Sequence, residues 1–79
     1  MRLDLYIKKI GIIKRRSLAK ETIEKNRIRV NDIIVKPSYM VKPQDIIDVY
    51  LKEKTIRIRV LNPIDNYETI PQPQPKASR

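Results

Sequence analysis

The side chains best placed to do chemistry are cationic. Lys14, Arg15 and Arg16 stand in a row at, or just before, the start of a segment with helical spacing. Lys20 follows one turn beyond Arg16, on the same helical face, and Arg2 lies beside the N-terminus. A planar guanidinium grips phosphate through two parallel N–H donors and also stacks on bases, and an ammonium adds a compact point charge. Cations at a helix start oppose the helix dipole. A local rule broken in a small domain often marks a site. A phosphate seated there meets exposed backbone N–H groups and cations together. The chemistry expected of Arg2, Lys14, Arg15, Arg16 and Lys20 is therefore docking on a polyanion.

Bond-making chemistry finds little to work with. The chain has no His and no Cys, which removes the common zinc sites, disulfides and imidazole acid–base catalysis. Asp45 and Asp48 are neighbouring carboxylates, but Asp45 reads as a turn residue and Asp48 as an exposed strand residue. No nucleophile–base pair is present, and the single Gly cannot make a phosphate-cradling glycine loop. A non-catalytic protein with no cofactor and no metal is expected. Tyr6, Tyr39 and Tyr50 are able to stack on bases, but Tyr6 belongs to a helical apolar stripe, and aromatic residues make up only 5% of the chain. Shape and phosphate contact are expected to dominate recognition.

The charge is unevenly spread. Of 79 residues, 18 are Lys or Arg and 9 are Asp or Glu, a formal net charge of +9. Eleven of the basic and four of the acidic side chains fall within residues 1–36, while residues 62–79 are balanced. Such asymmetry suggests a local footprint for RNA, DNA or an anionic surface rather than general solubilisation. A chain this short makes one domain and buries only about 60% of its unfolded surface, so its core must be a thin layer. No apolar run approaches the roughly 20 residues of a membrane span, and the N-terminus lacks the pattern of a secretory signal. A cytoplasmic module with no membrane role is expected.

The elements that must carry the cations follow from periodicity. Leu3, Tyr6, Ile7 and Ile10 share one face of a short helix that Gly11 can end in a left-handed cap. Leu18, Ala19, Thr22 and Ile23 make the apolar side of a second helix over about residues 15–25. From Arg27 the period becomes two, with Ile28 and Val30 on one face, a turn at Asn31-Asp32, then Ile33 and Val35. Pro43-Gln44-Asp45 reads as another turn, followed by strands over Ile46–Leu51 and over Ile56, Ile58 and Val60. Two helices followed by short strands is an α+β arrangement. Pro71, Pro73 and Pro75 punctuate the C-terminus, which predicts a domain over 1–62 and a flexible, disordered Pro-rich tail over 63–79.

These residues form an ordered series. It runs Arg2-Leu3-Asp4, Ile7, Lys14-Arg15-Arg16-Ser17-Leu18-Ala19-Lys20-Glu21, Ile23, Arg27-Ile28-Arg29-Val30-Asn31, Val35-Lys36-Pro37 and Val41-Lys42-Pro43-Gln44-Asp45-Ile46-Ile47-Asp48-Val49. The series resembles the RNA-binding domain named after ribosomal protein S-four. Within it, the short stand-alone form is most similar to bacterial ribosome quality-control factors, with the fifteen-kilodalton heat-shock proteins as near relatives. The resemblance implies a helix-turn-helix-like pair on a small antiparallel sheet (the alpha-L motif). It implies binding to structured RNA: large-subunit rRNA and peptidyl-tRNA on the large ribosomal subunit, in support of C-terminal tailing of stalled chains. It further implies an RqcH/NEMF-type partner and a monomer, with Arg16 central to ribosome contact and Arg2 and Asp4 in its neighbourhood. The family usually has Gly where Asn26, Asp32 and Gln44 stand here. Asn and Asp take the left-handed conformation at modest cost, and Gln44 is the least comfortable of the three.

The remaining charges have plainer readings. Asp4 complements its helix dipole and pairs with an Arg such as Arg16, which makes it a supporting residue. Lys8 and Lys9 face solvent, and Arg57 and Arg59 line a solvated sheet face. A general rRNA or tRNA chaperone or assembly factor, and less readily a DNA-binding module, would present the same surface. An adaptor acting through the Pro-rich tail is the third alternative.

Overall fold

A computed structural model of the protein describes residues 1–70. Two helices, α1 (Leu3–Lys9) and α2 (Arg16–Glu24), pack on one face of a sheet built from β1 (Ile28–Val30), β2 (Ile33–Ile34), β3 (Ile46–Tyr50), β4 (Thr55–Val60) and β5 (Tyr67–Ile70). The strand order is β2-β1-β3-β4-β5, antiparallel throughout. The α+β class and the helix pair on an antiparallel sheet are as the sequence predicts.

Alternation explains the layering. Ile28 and Val30 of β1, Ile47 and Val49 of β3, and Ile58 and Val60 of β4 turn inward and are buried. They meet Leu3, Tyr6 and Ile7 of α1 and Ala19 and Ile23 of α2, with Ile13 and Val41 closing the ends. β3 departs from the alternation because Asp48, on the opposite face, is also buried. The sequence reading placed Asp48 in solvent. The sheet pairs it with Arg57, whose Nε and Nη2 donate to its two oxygens at 2.7 and 3.3 Å. The guanidinium covers the carboxylate, so neither Arg57 nor Asp48 is a plain solvated strand residue. Arg59 likewise donates to Glu68 across β4 and β5.

The turns follow residue type. Asn31 and Asp32 both have positive φ (53° and 67°), the pair of left-handed residues that a two-residue type I′ hairpin demands. Pro43 and Gln44 make a type II-like turn, with Gln44 at φ 78° and the Asp45 N–H donating to the Lys42 carbonyl at 3.2 Å. Gln44 thus adopts the backbone of the Gly it replaces. Gly11 sits at φ 85° with open space around its α-carbon, so conformation alone accounts for a glycine there.

Part of the expected tail belongs to the fold. Residues 63–70, assigned from sequence to a flexible tail, fold back through a turn in which the Asn66 N–H donates to the Pro63 carbonyl and the Leu61 N–H to the Asn66 carbonyl. Tyr67–Ile70 then pair with Arg57–Val60. The alternating Prolines begin only at Pro71, so every N–H of β5 remains available to the ladder. The rest of the expected tail, 71–79, lies outside the described residues.

Candidate nucleic-acid interface

The candidate site is assembled on the N-terminal ends of the two helices. The first turn of α1 is closed by a distant segment. The Leu3 N–H donates to the Tyr39 carbonyl (2.7 Å), the Asp4 N–H to the Pro37 carbonyl (3.2 Å) and the Tyr6 N–H to the Arg2 carbonyl (2.8 Å). The Leu5 N–H donates to the Asp4 side chain at 2.8 Å. The orphan donors of a helix start are thereby satisfied. In the same stretch Arg2 bridges Met40, and the Val41 N–H donates to the Met1 carbonyl. Arg2 is therefore held by backbone, not left on a loose end.

The start of α2 is the opposite case. Arg15 occupies the N-cap position with no side-chain cap, and the first turn carries no acid. Lys14, Arg15, Arg16 and Lys20 are all exposed. An uncapped helix start surrounded by cations is unfavourable by itself and favours an incoming anion.

Asp4 joins the two helices. Its side chain is buried, and its Oδ2 accepts from Arg2 Nη2 at 3.1 Å and lies 3.6 Å from Arg16 Nε. One carboxylate thus holds two half-exposed guanidiniums side by side, which is the pairing role expected of Asp4, and leaves a net positive charge. Among the described residues no carboxylate comes within ion-pair distance of Lys14, Arg15 or Lys20. Glu21, the acid next to Lys20, is engaged by Lys25 at 2.9 Å, whose hydrogen bond holds its carboxyl below the usual range.

The structure therefore brings Arg2, Arg16 and Asp4 into direct contact, with Lys20 one turn along α2. Lys14 and Arg15 stand at the entrance of that helix without touching the cluster. A groove of about 490 Å³ runs beside it, lined by Arg2, Lys20, Ile23, Asn26, Val35 and Lys36 among others. Lys36 and the groove were missed from sequence. Lys36 sits in the Val35-Lys36-Pro37 motif, next to the proline whose carbonyl closes α1, and that adjacency is the signal that places it beside Arg2.

A polar knot ties the β1–β2 turn to the segment before β3. Asp45, buried, accepts from Asn31 Nδ2 (3.2 Å), from the Tyr39 hydroxyl (2.8 Å) and from the Lys42 N–H (3.0 Å). Burial, then the hydrogen bond to Asp45, pushes the Tyr39 hydroxyl above its ordinary range. Its hydroxyl is committed to this knot, and Tyr50 lies under the Arg29 guanidinium at 5.7 Å. Tyr6 is buried in the core. Of the described tyrosines, Tyr6 offers no stacking surface, whereas Tyr50 and Tyr67 remain 37% and 38% exposed. No helix among the described residues is long and apolar enough to cross a membrane, and no group of His, Cys, Asp and Glu there could hold a metal ion.

Comparison with known proteins agrees with this architecture. The sequence profile described as the S4 domain matches residues 1–47. A protein of Streptococcus pneumoniae named RQC P-site tRNA stabilizing factor is 42% identical over 66 residues, covering 84% of this chain and 75% of that protein. Proteins of the same name from Listeria innocua and Bacillus subtilis are each 42% identical over 60 residues, covering 76% of this chain and 65% and 70% of theirs. The fold matches the trimeric structure of Vibrio cholerae Heat Shock Protein 15 with a TM-score of 0.80 at 22% identity, over 89% of this chain and 81% of that one.

Proposed function

The chain belongs to the S4 domain family, and from that premise we propose that it is a non-catalytic RNA-binding module of bacterial ribosome quality control. It docks on structured RNA of the large ribosomal subunit and on the peptidyl-tRNA of a stalled chain, and holds that tRNA while the nascent chain is tailed. It does so in the cytoplasm, as a monomer beside an RqcH/NEMF-type partner. The relatives' shared name, a stabilizing factor for P-site tRNA, supports the ribosomal assignment.

The observation that carries the reading is the Arg2–Asp4–Arg16 cluster at the uncapped start of α2. Two guanidiniums are pre-positioned by one buried carboxylate, and Lys14, Arg15 and Lys20 extend the positive surface around them. Pre-positioning matters because immobilising a long side chain on binding costs about 0.5–1.5 kcal/mol. If the ridge neutralises about four phosphates, log affinity falls with log salt with a slope near −3 to −4.

Arg16→Ala tests the site. It should weaken binding to large subunits carrying peptidyl-tRNA and make the salt slope shallower by about 0.9, with only a modest fall in melting temperature because the buried Asp4 keeps Arg2 as its partner. Equal binding by the variant would show that the ridge is not the contact. Co-sedimentation with large subunits, with and without peptidyl-tRNA, tests the cellular role: equal pelleting in both cases would favour a general rRNA chaperone instead.

A further inference from the structure

The groove beside the ridge has two unlike parts. Ile34 of β2, with Val35 and Pro37 just beyond it, supplies apolar surface above the buried Ile23 of α2, and Arg2, Lys20 and Lys36 supply charge, with Glu24 the one acid in the lining. We propose that this groove takes a single unpaired nucleotide of the bound RNA, and that Asn26 reads its base. The proposal rests on the RNA-binding reading above and adds to it a separate subsite and a discriminating residue.

An aliphatic wall with a cationic rim matches the two halves of a nucleotide. The rim neutralises the phosphate, while the wall takes the face of a base that has left its stack. A space of about 490 Å³ falls within the roughly 300–1,000 Å³ typical of small-molecule sites. Ile34 remains 48% exposed on the outermost strand, so the wall is open to an incoming group. Arg2 also belongs to the ridge, in contact with Asp4, and Lys20 lies one turn from Arg16. A strand whose phosphates follow the ridge therefore enters the groove without a break. An acidic peptide without aromatic side chains, such as polyglutamate, satisfies the same charges but has no flat apolar group for the wall.

Asn26 is the informative residue. It ends α2 at φ 63°, its N–H donating to the Ile23 carbonyl at 2.9 Å. Glycine meets that backbone requirement with less strain. Asn adds a carboxamide to the groove lining, exposed and without a hydrogen-bond partner among the described residues. A carboxamide offers one donor and one acceptor side by side, the arrangement that pairs bidentately with the N6 and N7 edge of adenine. Unpaired RNA bases are read through their exposed edges in this way.

The test uses the full chain and RNA hairpins identical except for one bulged nucleotide (A, G, C or U) or none, with affinities from fluorescence anisotropy at fixed salt. The adenine-bulged hairpin should bind about tenfold more tightly than the fully paired one, and about fivefold more tightly than the other bulges, the low end of a bidentate base contact. Asn26→Gly, which suits the backbone, should level the four bulges without lowering the melting temperature. Lys36→Ala should shrink the bulged-to-paired ratio. The proposal is overturned by equal binding of bulged and paired hairpins, or by an adenine preference that survives in N26G. It is overturned equally by displacement of the bulged RNA with polyglutamate but not with oligoadenylate, which would mark a site for an acidic protein segment. Failure to bind any hairpin would sink the RNA-binding reading itself, whereas equal binding to all of them removes only this subsite.

Discussion

Replacing Asp4 by Asn separates two roles that a carboxylate among arginines can play. The substitution keeps the shape and the possibility of accepting from the Leu5 N–H, but removes the charge facing Arg2 at 3.1 Å and Arg16 at 3.6 Å. Electrostatics alone says the variant binds RNA better. The deleted charge would sit roughly 7 Å from a phosphate on the far side of a guanidinium, worth about 0.6 kcal/mol at the dielectric constant of water and less after screening. Against this, two guanidiniums lose their anchor and must be ordered on binding, at about 0.5–1.5 kcal/mol each. The ordering term wins, and D4N should bind structured RNA more weakly by about 1 kcal/mol, or about fivefold. Both arginine side chains are nearly half exposed (42% and 49%), so neither becomes a stranded buried charge. The stability loss should therefore be about 1–2 kcal/mol rather than the 3–5 of a fully buried broken pair. Anisotropy titrations of labelled hairpin RNA across a salt series, with thermal melts as the folding control, measure both. Tighter binding by D4N throughout the series would refute the reasoning and reduce Asp4 to a neutralising anion.

The core and the turns give further expectations. The Tyr6 hydroxyl is buried without a hydrogen-bond partner among the described residues, so Tyr6→Phe should stabilise the fold by about 1 kcal/mol in denaturant titrations. Burial first, then Tyr67 and Asp65, push the Tyr6 hydroxyl above its ordinary value of 10.0. A pKa raised on folding gives stability that is fully present below the unfolded value and is lost as pH climbs through the folded one. Unfolding curves should therefore show an alkaline loss beginning near pH 10 that Y6F reduces; an identical loss in Y6F would contradict it. Asp48→Ala leaves Arg57, which is only 31% exposed, facing a vacancy, and should cost about 2 kcal/mol; a loss below half a kcal/mol would show the pair to be incidental. Gln44→Gly relieves a left-handed residue at φ 78° and should raise stability by about 0.5–1 kcal/mol, readable as a higher melting temperature.

Local signals carried most of the architecture. The stripe of Leu3, Tyr6 and Ile7 and the alternation of Ile28 with Val30 and Ile58 with Val60 name the buried faces, because helical and strand periods are properties of neighbours in sequence. Asn31-Asp32 announced its hairpin for the same reason. What escaped depends on partners far along the chain. Asp48 looks exposed until Arg57 is laid across from it, and β5 looks like tail until Val60 and Tyr67 are paired. At the candidate site, cationic residue types marked Arg2, Arg16 and Lys20, and the pairing of Asp4 with Arg16 was legible from charge. Lys36 and Asn26 were not, since the groove they share exists only where the end of α2 meets the segment after β2.

The closing of α1 by the Pro37 and Tyr39 carbonyls bears on how the protein acquires its shape. A seven-residue helix is too short to persist alone in water, and here its opening amides wait for groups more than thirty positions downstream. During synthesis the N-terminal cations therefore have no fixed arrangement until the chain has emerged past Val41. Their amide protons at Leu3 and Asp4 should exchange with solvent only when the domain opens as a unit. Assembly of the charged surface and completion of the fold are one cooperative event, so a partly made or locally frayed copy does not present a competent ridge.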